Sequence, residues 1–464
     1  MLRIFKHYIP KTLVLLGVAE ALILLVSIYL GAILGFAVED MSLADRFAVG
    51  LPLWAKAALF STVMLVGMTA MGFYQRDQRD GPALTLLRLG LSFAFGFVMM
   101  GAAYFVYPPL TVGWPAFGVA LLCSFIGIAT CRLICSAHTD AQFSRRVLVL
   151  GVGERAKQIE NLRRSSDRLG ISIVGYVDIG VDQQLVTEAK VIRPKATLRE
   201  LAERFAVDEI VVAIDDRRRG FPVHDILDCK MHGINILEES VFYERQLGKI
   251  RLDALHPSNV IFSDGYTPAV LKQTEKRLID VTAAALLLLL TVPVFLITAL
   301  AIKLESKGPI FYRQARVGRR GDVFQVYKFR SMRPDAECNG AVWARSNDDR
   351  VTRVGRFIRK VRIDELPQLI NVLNGDMSFV GPRPERPEFV QELARAIPYY
   401  DLRHYVKPGI TGWAQVCYPY GASIKDAREK LQFDLYYIKN YSVFLDLTIL
   451  LQTVQVILWG KGAR

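Results

Sequence analysis

Four long apolar segments at the start of this chain restrict it to the folds of a membrane protein. They run over residues 12–36, 52–73, 84–107 and 112–135. Each could cross the hydrocarbon core of a bilayer as a helix, which takes about 20 residues. The first segment is too long for a removed signal peptide and lacks a small-residue cleavage site. The sequence therefore predicts a four-helix transmembrane domain over residues 1–137.

The charges between these segments predict how the domain is oriented. Basic residues precede the first segment and follow the second and the fourth, whereas the loop after the third, YPPLTVGWP, carries no charge. By the positive-inside rule, the N-terminus and everything after the fourth segment lie in the cytoplasm. No ionisable pair is expected in the middle of a span, so the sequence does not support a transport pathway.

The charge balance argues for the same setting. The formal net charge is +13, yet 52% of the residues are hydrophobic and the mean hydropathy is +0.25. Soluble nucleic-acid-binding proteins are seldom so apolar, so no nucleic-acid partner is expected. A basic, apolar chain favours a protein that meets anionic lipids or phosphates of the inner membrane. The six cysteines form no CxxC pair, which excludes a disulfide scaffold and a cysteine metal site.

From residue 146 the pattern changes to alternating strands and helices. This predicts a Rossmann-like α/β domain over residues 146–250, followed by a linker over 251–274. A GxGxxA turn follows the first strand at Gly151, Gly153 and Ala156, and Asp178 ends the second strand, where an acid could meet a ribose. The chain offers no YxxxK pair for dehydrogenase or dehydratase chemistry. Two alternatives therefore remain for this domain. It could bind a nucleotide, or it could serve packing, regulation or homodimer formation.

A fifth apolar run, Val281 to Ile302, has basic residues on both flanks and Pro293 in its second half. A crossing helix would place everything after it outside the cell, and proline breaks or kinks a helix. We therefore expect a re-entrant helix over residues 276–303 that enters and leaves by one face. Asp280 would pair with Arg277 at the interface rather than stand alone in lipid.

The remaining part of the chain, predicted as an α+β catalytic domain over residues 275–464, is rich in arginine and glycine. VYKFRSM places Lys328 and Arg330 on one strand, and arginines recur every three residues from Arg350 to Arg359, followed by Lys360 and Arg362. Some of these arginines fit a solvated helix face equally well. The run nevertheless leads directly into RIDELPQL, where Asp364 and Glu365 stand side by side. Bidentate arginines are the usual clamp for a diphosphate.

The acid pair can be interpreted in two ways. Asp364 could simply cap the helix predicted after Pro367. Alternatively, cations within reach would keep the pair ionised and bring a phosphate to it. A carboxylate so placed can attack phosphorus and carry the phosphoryl group covalently. Asp364 and Glu365 together could hold Mg²⁺, which typically takes one or two carboxylates plus substrate phosphates.

Several motifs in this half also resemble a known family. GPIFYRQARVG, VYKFRSM, RIDELPQLINVLNGDMSFVGPRPE and KPGITGWAQV are similar to runs in the bacterial sugar transferases, the monotopic polyprenyl-phosphate phosphoglycosyl transferases. The order of four spans, Rossmann-like domain and catalytic domain resembles the large subgroup of that family. VGPRPERPEFV and FDLYYIKNYS resemble its exosortase and exopolysaccharide-associated branch.

The resemblance implies transfer of a hexose 1-phosphate from a UDP-sugar to undecaprenyl phosphate, with release of UMP, to initiate exopolysaccharide synthesis. It implies that Asp364 is the nucleophile, that Glu365 orients it or binds Mg²⁺, and that Pro293 is the helix-breaking proline. It further implies that Glu385 braces its loop and that a set of basic residues binds substrate or phosphate: Lys328, Arg330, Arg359, Arg362 and Arg383.

Two other classes of function remain as alternatives. A membrane-tethered nucleotide-sugar dehydratase could join four spans to a Rossmann domain, but the missing YxxxK disfavours it. A nucleotide-sensing assembly scaffold would use the GxGxxA turn and no catalysis, which leaves the carboxylate–arginine constellation unexplained. Neither the donor sugar nor the oligomeric state follows from the residues.

Overall fold

The structure is a computed structural model of the chain. It describes residues 2–4, 7–9, 11–36, 51–74, 82–142, 144–162, 167, 170–194, 196–216, 218, 220–255, 257–262, 265–266, 270–333, 350–419, 421 and 423–459. The chain divides into two compact units, one comprising Met1–Arg3 and Tyr8–Leu247 and the other comprising Ile4–His7 and Gly248–Arg464.

The N-terminal part of the first unit is helical apart from two three-residue strands. Its elements are β1 (Leu2–Ile4), β2 (His7–Ile9), α1 (Lys11–Phe36), α2 (Leu53–Ala70), α3 (Pro82–Val106) and α4 (Trp114–Gln142). Each of the four helices is long and apolar enough to cross a membrane. α1 packs along α2 and α4, and α3 packs against α2 and α4. The predicted apolar segments are thus confirmed as helices of a multi-pass membrane protein.

A buried ion pair connects two of these helices. Oε1 of Glu20 in α1 lies 2.6 Å from Nε of Arg132 in α4, and the Tyr74 hydroxyl donates to the same carboxylate. Glu20 is fully buried, and the Arg132 guanidinium lies 4.2 Å from the centre of the Phe73 ring. Glu20 lies seven residues after the start of its apolar span and Arg132 three residues before the end of its own, so this ionisable pair lies toward one end of the two spans. The partners are 112 residues apart, so no local spacing indicates that they meet.

The rest of the first unit is the predicted α/β domain. Its elements are β3 (Arg145–Leu150), α5 (Glu154–Glu160), β4 (Ile171–Val177), β5 (Val191–Ile192), α6 (Leu198–Arg204), β6 (Glu209–Val212), α7 (Val223–Met231), β7 (Asn235–Glu238) and α8 (Glu239–Leu247). The strands form one parallel sheet in the order β5-β4-β3-β6-β7. Alternate residues of β3 enter two separate apolar cores, Val147 and Val149 on one face and Leu148 and Leu150 on the other. This alternation explains why the strand reads as a continuous apolar run.

The second unit is a mixed α+β fold. Its elements are α9 (Pro257–Phe262), α10 (Val270–Glu305), β8 (Phe311–Val317), β9 (Val323–Phe329), α11 (Arg353–Lys360), α12 (Gln368–Asn374), β10 (Ser378–Val380), α13 (Pro387–Ala396), β11 (Gly409–Thr411), α14 (Trp413–Cys417), α15 (Ile424–Asn440) and α16 (Val443–Trp459). β8 and β9 form an antiparallel hairpin, and β10 pairs in parallel with β11. The largest core of the unit lies beneath α15 and includes Leu435, Tyr436 and Leu445.

The long helix α10 is held to the second unit at both of its ends. Near its start, the Arg277 guanidinium donates to the carbonyls of Val372 (2.5 Å) and Leu373 (2.7 Å). Asp280 Oδ1 accepts from the Phe379 N–H at 3.1 Å. The predicted Arg277–Asp280 pair was therefore wrong, because each side chain instead satisfies backbone groups at the end of α12 or at β10.

The other end of α10 contacts a different part of the same unit. The Glu305 carboxylate accepts from the backbone N–H of Arg353 at 2.7 Å, at the start of α11. Ile302 is buried in a cluster with Phe329 and Ile358. Between the two ends, α10 continues as one 36-residue helix through Pro293. Large apolar side chains on this middle part, Leu289, Leu296 and Leu300 among them, are exposed.

Candidate active site

The acid pair lies on a short 3-10 turn, Ile363–Glu365, between α11 and α12. Arg362 enters this turn in a left-handed backbone conformation (φ 61°), which is uncommon for a residue with a side chain. Pro367 ends the turn, and α12 follows it. Asp364 is only 8% exposed, and its Oδ1 has no hydrogen-bond partner among the residues that the structure describes. Asp364 therefore presents a free carboxylate oxygen in a buried position and does not serve as a helix cap.

Glu365 is held differently from its neighbour. Its Oε1 lies 3.2 Å from Lys328 Nζ, 3.3 Å from Arg383 Nη2 and 3.8 Å from Arg362 Nη1. Burial alone would raise the pKa of Glu365, but the three cations outweigh it and hold that pKa well below the ordinary value. Glu365 is thus an ionised carboxylate that fixes three cations around the pair.

The pKa of Asp364 moves in the opposite direction. Burial raises it first, and the negative charge of Glu365 raises it further. Lys328, Arg362 and Arg359 lower it without cancelling the rise. The two adjacent acids therefore differ in protonation behaviour, which is typical of paired carboxylates with separate roles.

Lys328 reaches the pair from the β8–β9 hairpin. Its amine is buried, which lowers its pKa even though Glu365 counteracts this effect. The strand that carries it is fixed by Asn371 of α12, which is fully buried. Asn371 Oδ1 accepts from the Tyr327 N–H at 3.0 Å, and its Nδ2 donates to the Gln325 carbonyl at 2.7 Å. One amide thus connects the helix after the acid pair to the strand of Lys328.

Arg383 reaches Glu365 from a loop whose backbone is held at successive carbonyls. The carbonyls of Pro382, Arg383, Pro384 and Glu385 accept in turn from the Gly409 N–H (3.0 Å), Arg403 Nη2 (2.9 Å), Arg316 Nη1 (3.0 Å) and the Val317 N–H (2.9 Å). The approach to β11 is so close that a Cβ on Gly409 would lie 2.1 Å from the Gly381 nitrogen. With its backbone fixed at four points, the loop holds the Arg383 side chain in place.

A buried ion pair supports this loop from below. Arg403 Nη2 lies 3.0 Å from Asp434 Oδ2, and both side chains are buried. Burial outweighs the attraction of Arg403 and raises the pKa of Asp434 to about 6. Neither residue was predicted as functional, because their contact brings together a loop and a helix 31 positions apart.

A small open cleft is lined by Lys328 and Arg383, the two cations that lie nearest to the Glu365 carboxylate. Three of the residues that line it are basic, and one is an amide: Arg316, Lys328, Arg383 and Gln368. Val326, Pro384, Gly409 and Ile410 complete its wall. The positive charge of these side chains suits the cleft to the anionic oxygens of a phosphate group.

The structure places other predicted site residues elsewhere. The Arg330 guanidinium donates to the carbonyls of Ser306 (2.9 Å) and Lys307 (3.1 Å), so its hydrogen bonds stabilise the end of α10. Glu385 belongs to the Arg383 loop itself, and its Oε2 lies 3.6 Å from Arg316 Nη1. Pro293 is exposed within α10.

The predicted nucleotide-binding turn is occupied by a side chain of its own domain. The Asp215 carboxylate accepts from the backbone N–H of Glu154 (2.7 Å) and Arg155 (3.0 Å), at the point where a dinucleotide phosphate would bind. A Cβ on Gly153 would lie 2.0 Å from Asp215 Oδ2. Gly151 (φ 124°) lies against the carbonyl of Ala213. The glycines thus allow this carboxylate to approach the turn.

The two other predicted residues of this turn do not line an open site. Ala156 is buried in one of the two apolar cores of the domain. Asp178 Oδ1 accepts from the Gly180 N–H at 2.8 Å, within its own loop. Both side chains therefore have roles within the domain fold.

Comparison with known proteins agrees with this arrangement. Residues 271–460 match the family described as bacterial sugar transferase. The chain belongs to the bacterial sugar transferase family, and it is therefore an enzyme by class.

Three relatives illustrate how far the similarity extends. An undecaprenyl-phosphate N-acetylgalactosaminephosphotransferase of Aeromonas hydrophila, which uses the UDP-sugar, is 46% identical over 51% of this chain and 55% of its own length. The undecaprenyl-phosphate glucose phosphotransferase of Komagataeibacter xylinus is 29% identical over 88% of this chain and 79% of its own length. A UDP-glucose:undecaprenyl-phosphate glucose-1-phosphate transferase of Xanthomonas campestris pv. campestris is 31% identical over 69% and 68%. The chain thus spans about half the length of the first relative and more than two thirds of the others.

Proposed function

We propose that this protein transfers a hexose 1-phosphate from a UDP-sugar to undecaprenyl phosphate at the cytoplasmic face of the inner membrane, and so initiates exopolysaccharide repeat-unit synthesis. The observation that carries this proposal is the buried, unpaired Oδ1 of Asp364, next in sequence to Glu365, whose cations Lys328 and Arg383 line a basic cleft. The names of the three relatives all include undecaprenyl phosphate, and two of them also include a UDP-sugar, which supports the same reaction.

In the first step, Asp364 attacks the phosphorus that bears the sugar. A bond forms between the carboxylate oxygen and that phosphorus, and the bond to the bridging oxygen of the diphosphate breaks. UMP leaves with the bridging oxygen and its electron pair. The product on the protein is an aspartyl phosphosugar.

In the second step, a phosphate oxygen of undecaprenyl phosphate attacks the same phosphorus. The new bond makes the lipid diphosphate sugar, and the Asp364–phosphorus bond breaks to regenerate the carboxylate. Both steps exchange one anhydride bond to phosphorus for another, so no water and no redox partner is needed. Excluding water from a buried site also prevents hydrolysis of the intermediate.

The residues around the pair support Asp364 rather than Glu365 as the nucleophile. Glu365 Oε1 is engaged by Lys328, Arg362 and Arg383, and its pKa is strongly lowered, which makes it a weak nucleophile. Two of these cations, Lys328 and Arg383, line the cleft, where they can neutralise charge on the transferred phosphoryl group.

Mg²⁺ fits this site as a partner of the donor. Asp364 Oδ1 and Glu365 Oε2 receive no hydrogen bond from the described residues, and either could ligate the ion together with diphosphate oxygens. No cluster of three or more acidic, histidine or cysteine ligands occurs in the described part of the chain. Such an ion would neutralise charge on the leaving phosphate.

The contacts of α10 support a re-entrant membrane helix. A straight helix of 36 residues would be about 54 Å long, well beyond the ~30 Å hydrocarbon core. Yet Arg277 and Glu305, at opposite ends, contact the same compact unit. In the proposed arrangement this unit lies on one side of the bilayer, so both ends of α10 belong on that side. The exposed apolar middle around Pro293, where proline favours a kink, would then dip into one leaflet.

The proposal is tested with Asp364→Asn and Glu365→Gln, each purified as full chain with membrane lipid. We expect the wild-type protein to release UMP from a UDP-sugar in the presence of undecaprenyl phosphate, and to retain a labelled phosphosugar when the acceptor is withheld. Asp364→Asn should lose both signals, whereas Glu365→Gln should still form some adduct. Near-wild-type turnover of Asp364→Asn would overturn the nucleophile assignment.

A further inference from the structure

The amide of Gln368 is a buried polar group that the reaction described above does not use. Gln368 is the first residue of α12 and is 5% exposed. Its side chain has no hydrogen-bond partner among the described residues, and its oxygen and nitrogen are not among the fully enclosed polar atoms. The small exposed part of Gln368 therefore includes both polar ends of its amide, and this residue lines the cleft.

An amide in such a place makes hydrogen bonds only with what enters the cleft, since no described residue pairs with it. Val326 and Ile410 line the same cleft and are apolar, so they do not supply a partner either. A ligand that binds in the cleft would supply the missing hydrogen bonds.

The chemistry of the amide indicates which part of a donor it meets. Arg316, Lys328 and Arg383 already supply positive charge on the cleft wall for a diphosphate. A phosphate oxygen only accepts hydrogen bonds, so it would use just half of an amide. Hydroxyl and acetamido groups of a hexose both donate and accept, as the amide does.

The position of Gln368 agrees with this assignment. It follows Asp364 by four residues, and both face the region of Lys328. In the proposed reaction the hexose is joined by one oxygen to the phosphorus that Asp364 attacks. The sugar must therefore lie immediately beside the nucleophile.

We propose that Gln368 binds the hexose of the nucleotide-sugar donor and is a sugar-specificity residue of this enzyme. The inference rests on the proposed function, since it assumes a UDP-hexose as the donor. It adds a neutral contact to the sugar, beside the cations that face the diphosphate.

The test compares Gln368→Leu and Gln368→Asn with the wild-type full chain. The kcat/KM for UMP release is measured with UDP-glucose, UDP-galactose and their N-acetyl derivatives, and inhibition is measured with UDP, which lacks the hexose. Gln368→Leu should lower kcat/KM for the best donor by about 10- to 100-fold and reduce the differences among the four sugars. Gln368→Asn keeps an amide on a shorter stem and should retain part of the activity.

The inhibition constant for UDP should change less than twofold, which also reports an intact nucleotide site. As a matched control, Gln391→Leu, on the exposed face of α13, should leave all values unchanged. Unchanged kcat/KM in Gln368→Leu would overturn the inference, as would an equal loss of UDP affinity, which would place Gln368 on the nucleotide or diphosphate. Failure of the proposed function gives a different result, since the wild-type protein would then release no UMP from any UDP-sugar.

Discussion

Asp364 and Glu365 are neighbours in sequence but occupy different electrostatic environments. Glu365 accepts from Lys328 and Arg383 through one oxygen, whereas Asp364 keeps a buried oxygen free. The result is one carboxylate that organises cations and one that is available to react. The difference has two causes. The turn points the two side chains in different directions, and β9 and the loop of Arg383 supply cations to Glu365.

At the residue scale, we predict that Lys328→Met shifts the pH dependence of turnover. Asp364 reacts when ionised, so activity falls as the pH drops through its raised pKa. Lys328 lowers that pKa, and its removal should therefore move the acidic limb of the kcat profile to higher pH. We also expect kcat at the optimum to fall by about 100-fold, because a positioned cation is lost.

This prediction is checked by UMP release measured across the acidic and neutral range for wild type, Lys328→Met and Arg356→Gln. Arg356 is exposed on α11 and serves as a cation control outside the pair. An acidic limb that stays in place or moves to lower pH in Lys328→Met would contradict the assigned roles.

The sequence shows that the residues around the acid pair lie close together, but it does not show the contacts that support them. Asp364, Glu365 and Arg362 are consecutive or nearly so, and a basic run beside an acid pair is visible in one dimension. The Arg403–Asp434 pair and the Asn371 amide are not, because their functions depend on contacts between distant elements. Arg330 illustrates the opposite error. It follows β9 directly, next to the strand of Lys328, but its hydrogen bonds stabilise the end of α10.

At the element scale, the site depends on how α12 is joined to β9. Asn371 satisfies one backbone N–H and one carbonyl of the strand that carries Lys328. We predict that Asn371→Leu destabilises the second unit by about 2–3 kcal/mol, because two buried backbone groups lose their partner. Lys328 should then lose its fixed position, so kcat should fall more than the affinity for the donor.

Thermal unfolding and UMP-release kinetics of the purified chain test this coupling. Asn374→Leu is the matched control, since Asn374 is exposed at the end of the same helix. A variant Asn371→Leu with wild-type melting temperature and kcat would show that α12 and β9 are held together without this amide.

Elements with strong hydropathy patterns were predicted well, and those defined by long-range contacts were not. The four apolar helices and the strands of the parallel sheet occur where the patterns place them. The GxGxxA turn also has its predicted strand–turn–helix context. Its occupant could not be predicted, because Asp215 comes from the end of β6, about 60 residues further along the chain.

At the scale of the whole molecule, the proposed side of the active site depends on the course of α10. Its middle is apolar and exposed, and both of its ends contact the second unit. Length and composition alone allow this helix to cross. The contacts at its ends favour entry and exit at one face, which leaves the catalytic residues on the same side as the flanking basic residues.

We therefore predict that the active site faces the cytoplasm. In a cysteine-free background, Glu388→Cys on α13 and Pro109→Cys between α3 and α4 are both at exposed positions. An impermeant thiol reagent applied to intact cells should label Pro109→Cys, because that loop is predicted to lie outside, and should leave Glu388→Cys unlabelled until the cells are opened. Labelling of Glu388→Cys in intact cells, with Pro109→Cys labelled as well, would mean that α10 crosses the bilayer and that the re-entrant arrangement is wrong.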